Sequence, residues 1–495
     1  MASCGGGKSP ADTLVVAIES SPTAFDPRLA VDAYSIKIDQ LIYNGLIKLG
    51  PNFEYVPDLA AKFEQVGTKA YRFYLRPGVY FHNGEPLKAS DVIYTFQSVI
   101  DGTVASPYRT TFGYIKEMKV EPDGAITIIL KEPHAPFLTV MTKGIIPKVL
   151  AEELGKDFGH NPVGTGPYKL VEFKSDAHVL LKANENYFGE KPKLPFLKFE
   201  ILKDDNVRVL QLMKGTIDLV QNAVPPVLLK MLDKRKDIDV DSAPSIVFAY
   251  IGMNFEDEIL SNPDVRRALA HGINREEIIK YKWEGYGRIA NTLLVPGHWA
   301  FNANVRTYEY DPEMAKKFLD QAGYPDPDGD GPEMRFYLSY KTSTQKQRID
   351  IANLIAKQLE KVGIGITVTP YEWGTFFRDV KTGNFQLYSL AWVGITEPDI
   401  YYSIFNSSQM PPVGANRNRY LNKEIDRLTQ MGRTTLNQNE RAKIYNRIQD
   451  IVAEELPYIP LWYEDNIVVR RDNVKGFKIM PNAGFQGFIN VVKKK

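Results

Sequence analysis

Apolar residues recur at helical spacing over 311–322, where Ala315, Phe318, Leu319 and Ala322 share a face. Asp311-Pro312-Glu313 supplies an N-cap, a first-turn Pro and a first-turn acid, and Gly323 closes the helix. Pro263 opens a helix carrying Val265 and Leu269, and Asn274 with Glu277 reads as a capping box for the next. Residues 345–362 place Ile351, Leu354, Ile355, Leu359 and Val362 on one stripe ended by Gly363. Strand-like runs flank it at 334–340 and 364–369, so this stretch predicts a βαβ unit on a parallel or mixed sheet. A late helix carries Ile444, Ile448, Ile451, Val452 and Leu456 and stops near Pro457.

The first half reads differently. Short alternating strands such as Tyr71–Leu75 and Ala125–Leu130 lie between Pro- and Gly-rich turns, and helices are sparser. The pattern predicts an α+β portion before about residue 245 and an α/β portion after it. Ile467-Val468-Val469-Arg470 returns to strand character, so the chain is expected to rejoin its first lobe and cross between lobes twice, a hinge connectivity.

At 495 residues the chain exceeds what a single core supports. Its 61 basic and 60 acidic residues are interspersed, for a formal charge of +1, which gives no footprint for nucleic acid or an anionic membrane. No stretch approaches the roughly 18 apolar residues of a spanning helix. The single cysteine excludes a disulfide framework, an iron–sulfur cluster and a thiolate zinc site. It is Cys4, with small residues before it and glycines after it, which resembles the end of a bacterial lipoprotein signal with a start Met in place of the apolar region. Gly7-Lys8-Ser9 fails as a phosphate loop, because Ala2 occupies the leading Gly position and Pro10 follows.

Candidate chemistry is sparse. The six histidines include no i, i+4 pair, no G-x-S-x-G elbow occurs, and Gly164-Thr165-Gly166 leads into Pro167 rather than a helix. Asp326-Pro327-Asp328-Gly329-Asp330-Gly331 matches the opening of a calcium loop, but the twelfth place is Tyr337 where a bidentate Glu belongs, which favours a solvated turn over a bound ion. A glycosidase-type carboxylate pair stays open, since its spacing is spatial. The residues favour binding over catalysis and imply no cofactor.

Several stretches together resemble the bacterial extracellular solute-binding proteins of family 5, the dipeptide, oligopeptide and nickel type of ABC importers. The matching segments are Phe73–Val92, with its strand, Gly turn and capped helix, Val163–Tyr168, Asp264–Leu269, Ala322–Tyr324 and Leu456–Leu461. They run in the family's order from about residue 20 to 470, and the family also accounts for Cys4. The resemblance implies a two-lobe, type II periplasmic-binding-protein-like α/β fold with an α+β subdomain inserted in the first lobe. The expected division is a flexible tether over 1–19, lobe I from 20–45, 166–245 and 466–495, the insertion at 46–165, and lobe II at 246–465. It further implies that a peptide or similar solute is trapped between lobes and delivered to ABC transporter permease subunits by an exported monomer, held to the membrane only through a lipid at Cys4, with no nucleic-acid partner.

Ligands of open α/β sheets sit beyond strand carboxyl ends. Phe385–Ala391 reads as such a strand, and Trp392-Val393-Gly394-Ile395-Thr396-Glu397-Pro398-Asp399 resembles the family's ligand loop. Trp392 either lies against the ligand or caps the sheet, and Asp399 either enters the cleft or caps the next helix. Thr396 and Glu397 belong to the same loop. Trp373 follows another strand end, with Phe376 and Phe377 read as core. Tyr250 and Asn254 lie at the first crossing, with Asn254 either a ligand donor or a turn residue. Arg417 either meets a ligand carboxylate or forms a surface ion pair, the pair being favoured. Tyr34 would line the first lobe's side. Peptide-binding members place an Asp directly after Trp-x-Gly, against the peptide ammonium. Ile395 holds that place here, so free-amino short peptides are expected to bind poorly unless Glu397 or Asp399 replaces the charge. Two rival readings stand beside the binder of peptides: a binder of oligosaccharide, and a hydrolase with an unrecognised carboxylate pair.

Overall fold

A computed structural model describes residues 8–494 except 51 and 330. Cys4 and Asp330 therefore lie outside the described residues. The chain divides into two compact units, Met1–Ala243 with Asn466–Lys495, and Pro244–Asp465. Among the described residues no helix is long and apolar enough to cross a membrane.

In the first unit, β1 (Thr13–Ile18) is a continuous apolar run buried at every position, as a strand covered on both faces must be. It is followed by α1 (Ala33–Ile42), whose N-cap Asp32 accepts from the Ser35 amide. A separate antiparallel sheet, in the order β2 (Ala60–Val66), β3 (Ala70–Leu75), β5 (Ile126–Leu130) and β4 (Ile115–Val120), carries its own core of Tyr71, Phe73, Phe96, Ile126 and Ile128. The main sheet runs through β6 (Tyr168–Lys174), β7 (His178–Ala183), β8 (Phe196–Ile201), β1 and β9 (Leu219–Gln221) to the strand Tyr458–Arg471. Within it, β1 is parallel to both β8 and β9.

The N-terminal segment is more ordered than the expected tether. Thr13–Ile18 is interior sheet, and Ser9 Oγ donates to Asp218 at 2.6 Å. Asp218, 2% exposed, also accepts from the Val15 amide at 2.7 Å and from Lys493 Nζ at 3.1 Å. One buried carboxylate thus ties the first strand to the C-terminal segment.

The long strand β10 (Ile238–Met253) carries the chain into the second unit. There follow α2 (Pro263–Gly272), α3 (Arg275–Lys282), α4 (Pro312–Gln321), β11 (Phe336–Ser343), α5 (Lys346–Glu360), β12 (Ile364–Tyr371), α6 (Trp373–Thr382), β13 (Leu387–Trp392), α7 (Ile400–Phe405), α8 (Lys423–Thr434) and α9 (Gln438–Glu455). Strand β14 (Tyr458–Arg471) carries the chain back. The strand order is β12-β11-β13-β10-β14, with β11 parallel to β12 and β13, and β13 antiparallel to β10. The β11-α5-β12 segment is the expected βαβ unit, and its helix buries Ile351, Ile355 and Leu359. Asp311 caps α4 through the Met314 amide. Asn274 accepts from the Glu277 amide, but the Glu277 carboxylate turns to Gln358 instead of completing the capping box.

Replacing Asp218 by Ala removes the carboxylate from beside a buried ammonium, which keeps Ser9 Oγ and the Pro10 and Thr13 carbonyls, and removes the side-chain acceptor of the buried Val15 amide. The expected loss is about 3–5 kcal/mol of unfolding free energy, read by urea denaturation. A change within experimental error would show that the remaining acceptors of Lys493 suffice.

Candidate functional site

The second unit gathers two groups of aromatic rings near the carboxyl end of β13. Register sets Phe248 opposite Trp392 and Tyr250 opposite Leu390, so Tyr250 and Trp392 are diagonal neighbours on β10 and β13. Their rings lie 6.3 Å apart and nearly parallel, and Tyr250 stacks on Tyr458 at 3.9 Å. Tyr388, two pleats before Trp392 on the same face, meets Tyr250 edge-on at 6.0 Å. Its ring covers Gly252, where any Cβ would collide with it. On α6, Trp373 and Phe377 are one turn apart and stack at 5.4 Å. The Arg417 guanidinium joins the two groups, 5.0 Å from the Phe377 ring and 4.8 Å from that of Trp392.

Arg417 is half-buried and pairs with no carboxylate among the described residues, so the favoured surface ion pair is overturned. The reason is the loop that carries it. Asn416 and Asn418 on either side are 0% and 1% exposed. Asn416 Nδ2 donates to the Tyr420 and Asn406 carbonyls, and its Oδ1 accepts from the Tyr420 amide. Asn418 accepts from Tyr388 Oη at 2.8 Å and donates to the Pro457 carbonyl. With both neighbours turned inward, Arg417 turns towards the rings.

The ligand-loop candidates separate. Gly394 has φ +76°, a conformation suited to glycine, and is exposed. Ile395 is buried at 7% exposure. The Thr396 carbonyl lies 3.3 Å from His298 Nε2, and burial pushes the His298 pKa down to about 4. Glu397 is paired with Arg441 at 2.6 Å. Asp399 occupies the N-cap position of α7 but makes no side-chain cap, and its carboxylate lies 3.2 Å from Arg433. The capping reading of Asp399 is therefore corrected. Burial raises its pKa from 3.8 to about 7, against the lowering effect of Arg433.

Two further candidates make their recorded contacts within the fold. Asn254 Nδ2 donates to the Gly383 and Phe385 carbonyls and its Oδ1 accepts from the Glu256 amide, which leaves no donor for a ligand. Tyr34, in the first unit, packs within that unit's core against Phe485, and its hydroxyl accepts from the Glu19 amide. Trp373 is 54% exposed, while Phe376 is core and Phe377, also read as core, is half-buried beside Arg417. In the calcium-like loop, Asp326 lies 3.7 Å from Arg335 and Asp328 accepts from the Glu333 amide. Tyr388, Tyr458, Phe377 and the two asparagines escaped the sequence reading. The period-two relation of Tyr388 to Trp392 and the i, i+4 relation of Phe377 to Trp373 were the available signals.

Residues 54–411 match the family of bacterial extracellular solute-binding proteins, family 5. The dipeptide-binding protein of Escherichia coli K12 is 29% identical, over 97% of this chain and 94% of its own. The glutathione-binding protein GsiB of Salmonella typhi is 30% identical, over 96% and 93%. The structure of the oligopeptide-binding protein AppA from Bacillus subtilis in complex with a nonapeptide superimposes with a TM-score of 0.79 at 27% identity, covering 99% of this chain and 100% of that one.

The elevated Asp399 pKa has a sign that can be checked. An acid that holds its proton more tightly when folded contributes stability below its unfolded pKa and loses it as pH rises through the folded one. Relative to Asp399→Asn, the wild type should lose about 1.4 kcal/mol per pH unit between about pH 4 and about pH 7, then level off. Parallel stability curves for the two proteins, measured by denaturant titration across that range, would refute the shift.

Proposed function

The chain belongs to the bacterial extracellular solute-binding proteins of family 5, and from that premise we propose that it captures a peptide or peptide-like solute for the permease of an ABC importer. The observation that carries this reading is the run from Trp373 through Phe377, Arg417 and Trp392 to Tyr250 and Tyr458. Rings at strand ends offer a ligand broad apolar contact with little demand on its sequence, while one cation fixes its orientation. The peptide-bound relative and the dipeptide- and glutathione-binding relatives support the choice of ligand. In this reading the protein catalyses nothing and works as a monomer.

The direct test is native mass spectrometry of gently isolated protein, followed by calorimetry with pools of short peptides. A carried-over peptide, or saturable binding weakened about tenfold or more in Trp392→Ala, is expected. Carry-over of an oligosaccharide with no peptide binding would replace the peptide reading, and turnover of the added peptides would replace the binder with a hydrolase.

We also propose that Cys4 is acylated and anchors the exported protein. The whole gene product should fractionate with membranes and its Cys4→Ser form should be released. Equal recovery of both from the soluble fraction would remove the anchor.

A further inference from the structure

This inference rests on the solute-binding reading and concerns the charge its site accepts. The carboxylates around the ring cluster are already engaged. Glu372 accepts from the Gly374 amide at the start of α6, Asp379 pairs with Lys341 at 2.8 Å, Glu397 with Arg441 at 2.6 Å, and Asp399 lies 3.2 Å from Arg433. Ile395, buried and apolar, offers no acceptor on its side chain. The cations are the reverse. Arg417 has no acid partner among the described residues, and Lys381, whose ammonium lies 5.2 Å from the Phe377 ring, has none either. Buried donors also converge here: Tyr250 Oη, Tyr458 Oη and Trp392 Nε1 lie among one another, Tyr388 and Arg417. A face with clustered donors, a guanidinium that has no acid partner, and acids that each lie beside a cation or a backbone amide is complementary to an anion. The guanidinium lies over the Phe377 and Trp392 rings, and its fork of N–H groups suits a planar acceptor.

We propose that Arg417 is the carboxylate subsite of this face, and that the solute needs no free ammonium there. The preferred class is an acid-ended peptide or peptide-like solute whose amine is blocked, absent or left in water. The exposed Trp373 and Val393 beside the subsite suit an apolar group next to that carboxylate.

The test uses the full protein and pools of short peptides prepared with free ends, with an acetylated amine, with an amidated carboxyl, and with both blocked. Calorimetry should show acetylation changing Kd by less than about threefold and amidation weakening binding by about tenfold or more. An internal Glu that rescues the amidated pool would place a side-chain carboxylate in the same subsite and support the assignment equally. In Arg417→Gln the distinction between acid and amide should vanish, and Arg417→Lys should keep part of it. The series on the unmodified protein stands alone if a variant proves unstable. Binding that depends on the free amine and tolerates amidation would overturn the subsite and leave peptide capture standing. Binding of no pool would overturn both.

Discussion

The candidate site depends on two buried asparagines that fix the backbone on either side of one arginine. Asn416 and Asn418 spend their amides on the Asn406, Tyr420 and Pro457 backbone and on the Tyr388 hydroxyl. An asparagine inside a protein must satisfy both ends of its amide, and a loop of irregular backbone supplies the carbonyls and N–H groups that do so. The loop is therefore held from within by residues that are themselves almost fully buried. The left-handed φ of +59° at Arg419 turns the chain directly after this clamp. What remains pointing outward is Arg417, and its position is inherited from its neighbours.

The same logic governs the acids. The loop after Trp392 carries Glu397 and Asp399, and both are drawn to arginines on α9 and α8, Arg441 and Arg433. These pairs knit the loop to the helices behind it, and removing one partner would strand a charge in a low-dielectric setting. A carboxylate committed in this way has little left for a ligand cation. Arg417 lies against rings instead, a setting that stabilises a guanidinium by about 0.5–2 kcal/mol without neutralising it. The division between charges paired with opposite charges and a charge laid against rings is thus visible in which partner each group has.

Much of this fold was legible in the sequence because local chemistry and global architecture agree. Asp311 caps the helix its sequence announces, the stripe on α5 is buried as its spacing requires, and the strands flanking it pair in parallel. The ring cluster was half legible. Trp392, Trp373 and Tyr250 could be placed at strand and helix ends, but Trp392 and Tyr458 reach Tyr250 from distant parts of the chain, and strand pairing brings them together. The misread residues fail for one reason. Asp399 and Arg417 each had a plausible local role, and the outcome turned on which distant group lay nearest: Arg433, and Trp392 with Phe377. The opening segment was misread through composition, since a Gly-rich start conceals that Thr13–Ile18 is an interior strand.

The unpaired donors and the satisfied asparagines are two halves of one design. A buried hydroxyl or indole N–H without a partner costs about 1–3 kcal/mol, because water that would have bonded it has been lost. Tyr250, Tyr458 and Trp392 make no bond of full geometry, whereas Asn416 and Asn418 have theirs. A molecule that brought acceptors to the rings would recover part of that cost. Tyr388 marks the boundary, with its hydroxyl given to Asn418 and its ring to Tyr250. If the loop were loosened, the donors would find water or one another, and the gain on binding would shrink. Rigidity behind the rings and the weak bonding among them are therefore linked: the supporting shell limits which partners the polar groups can reach.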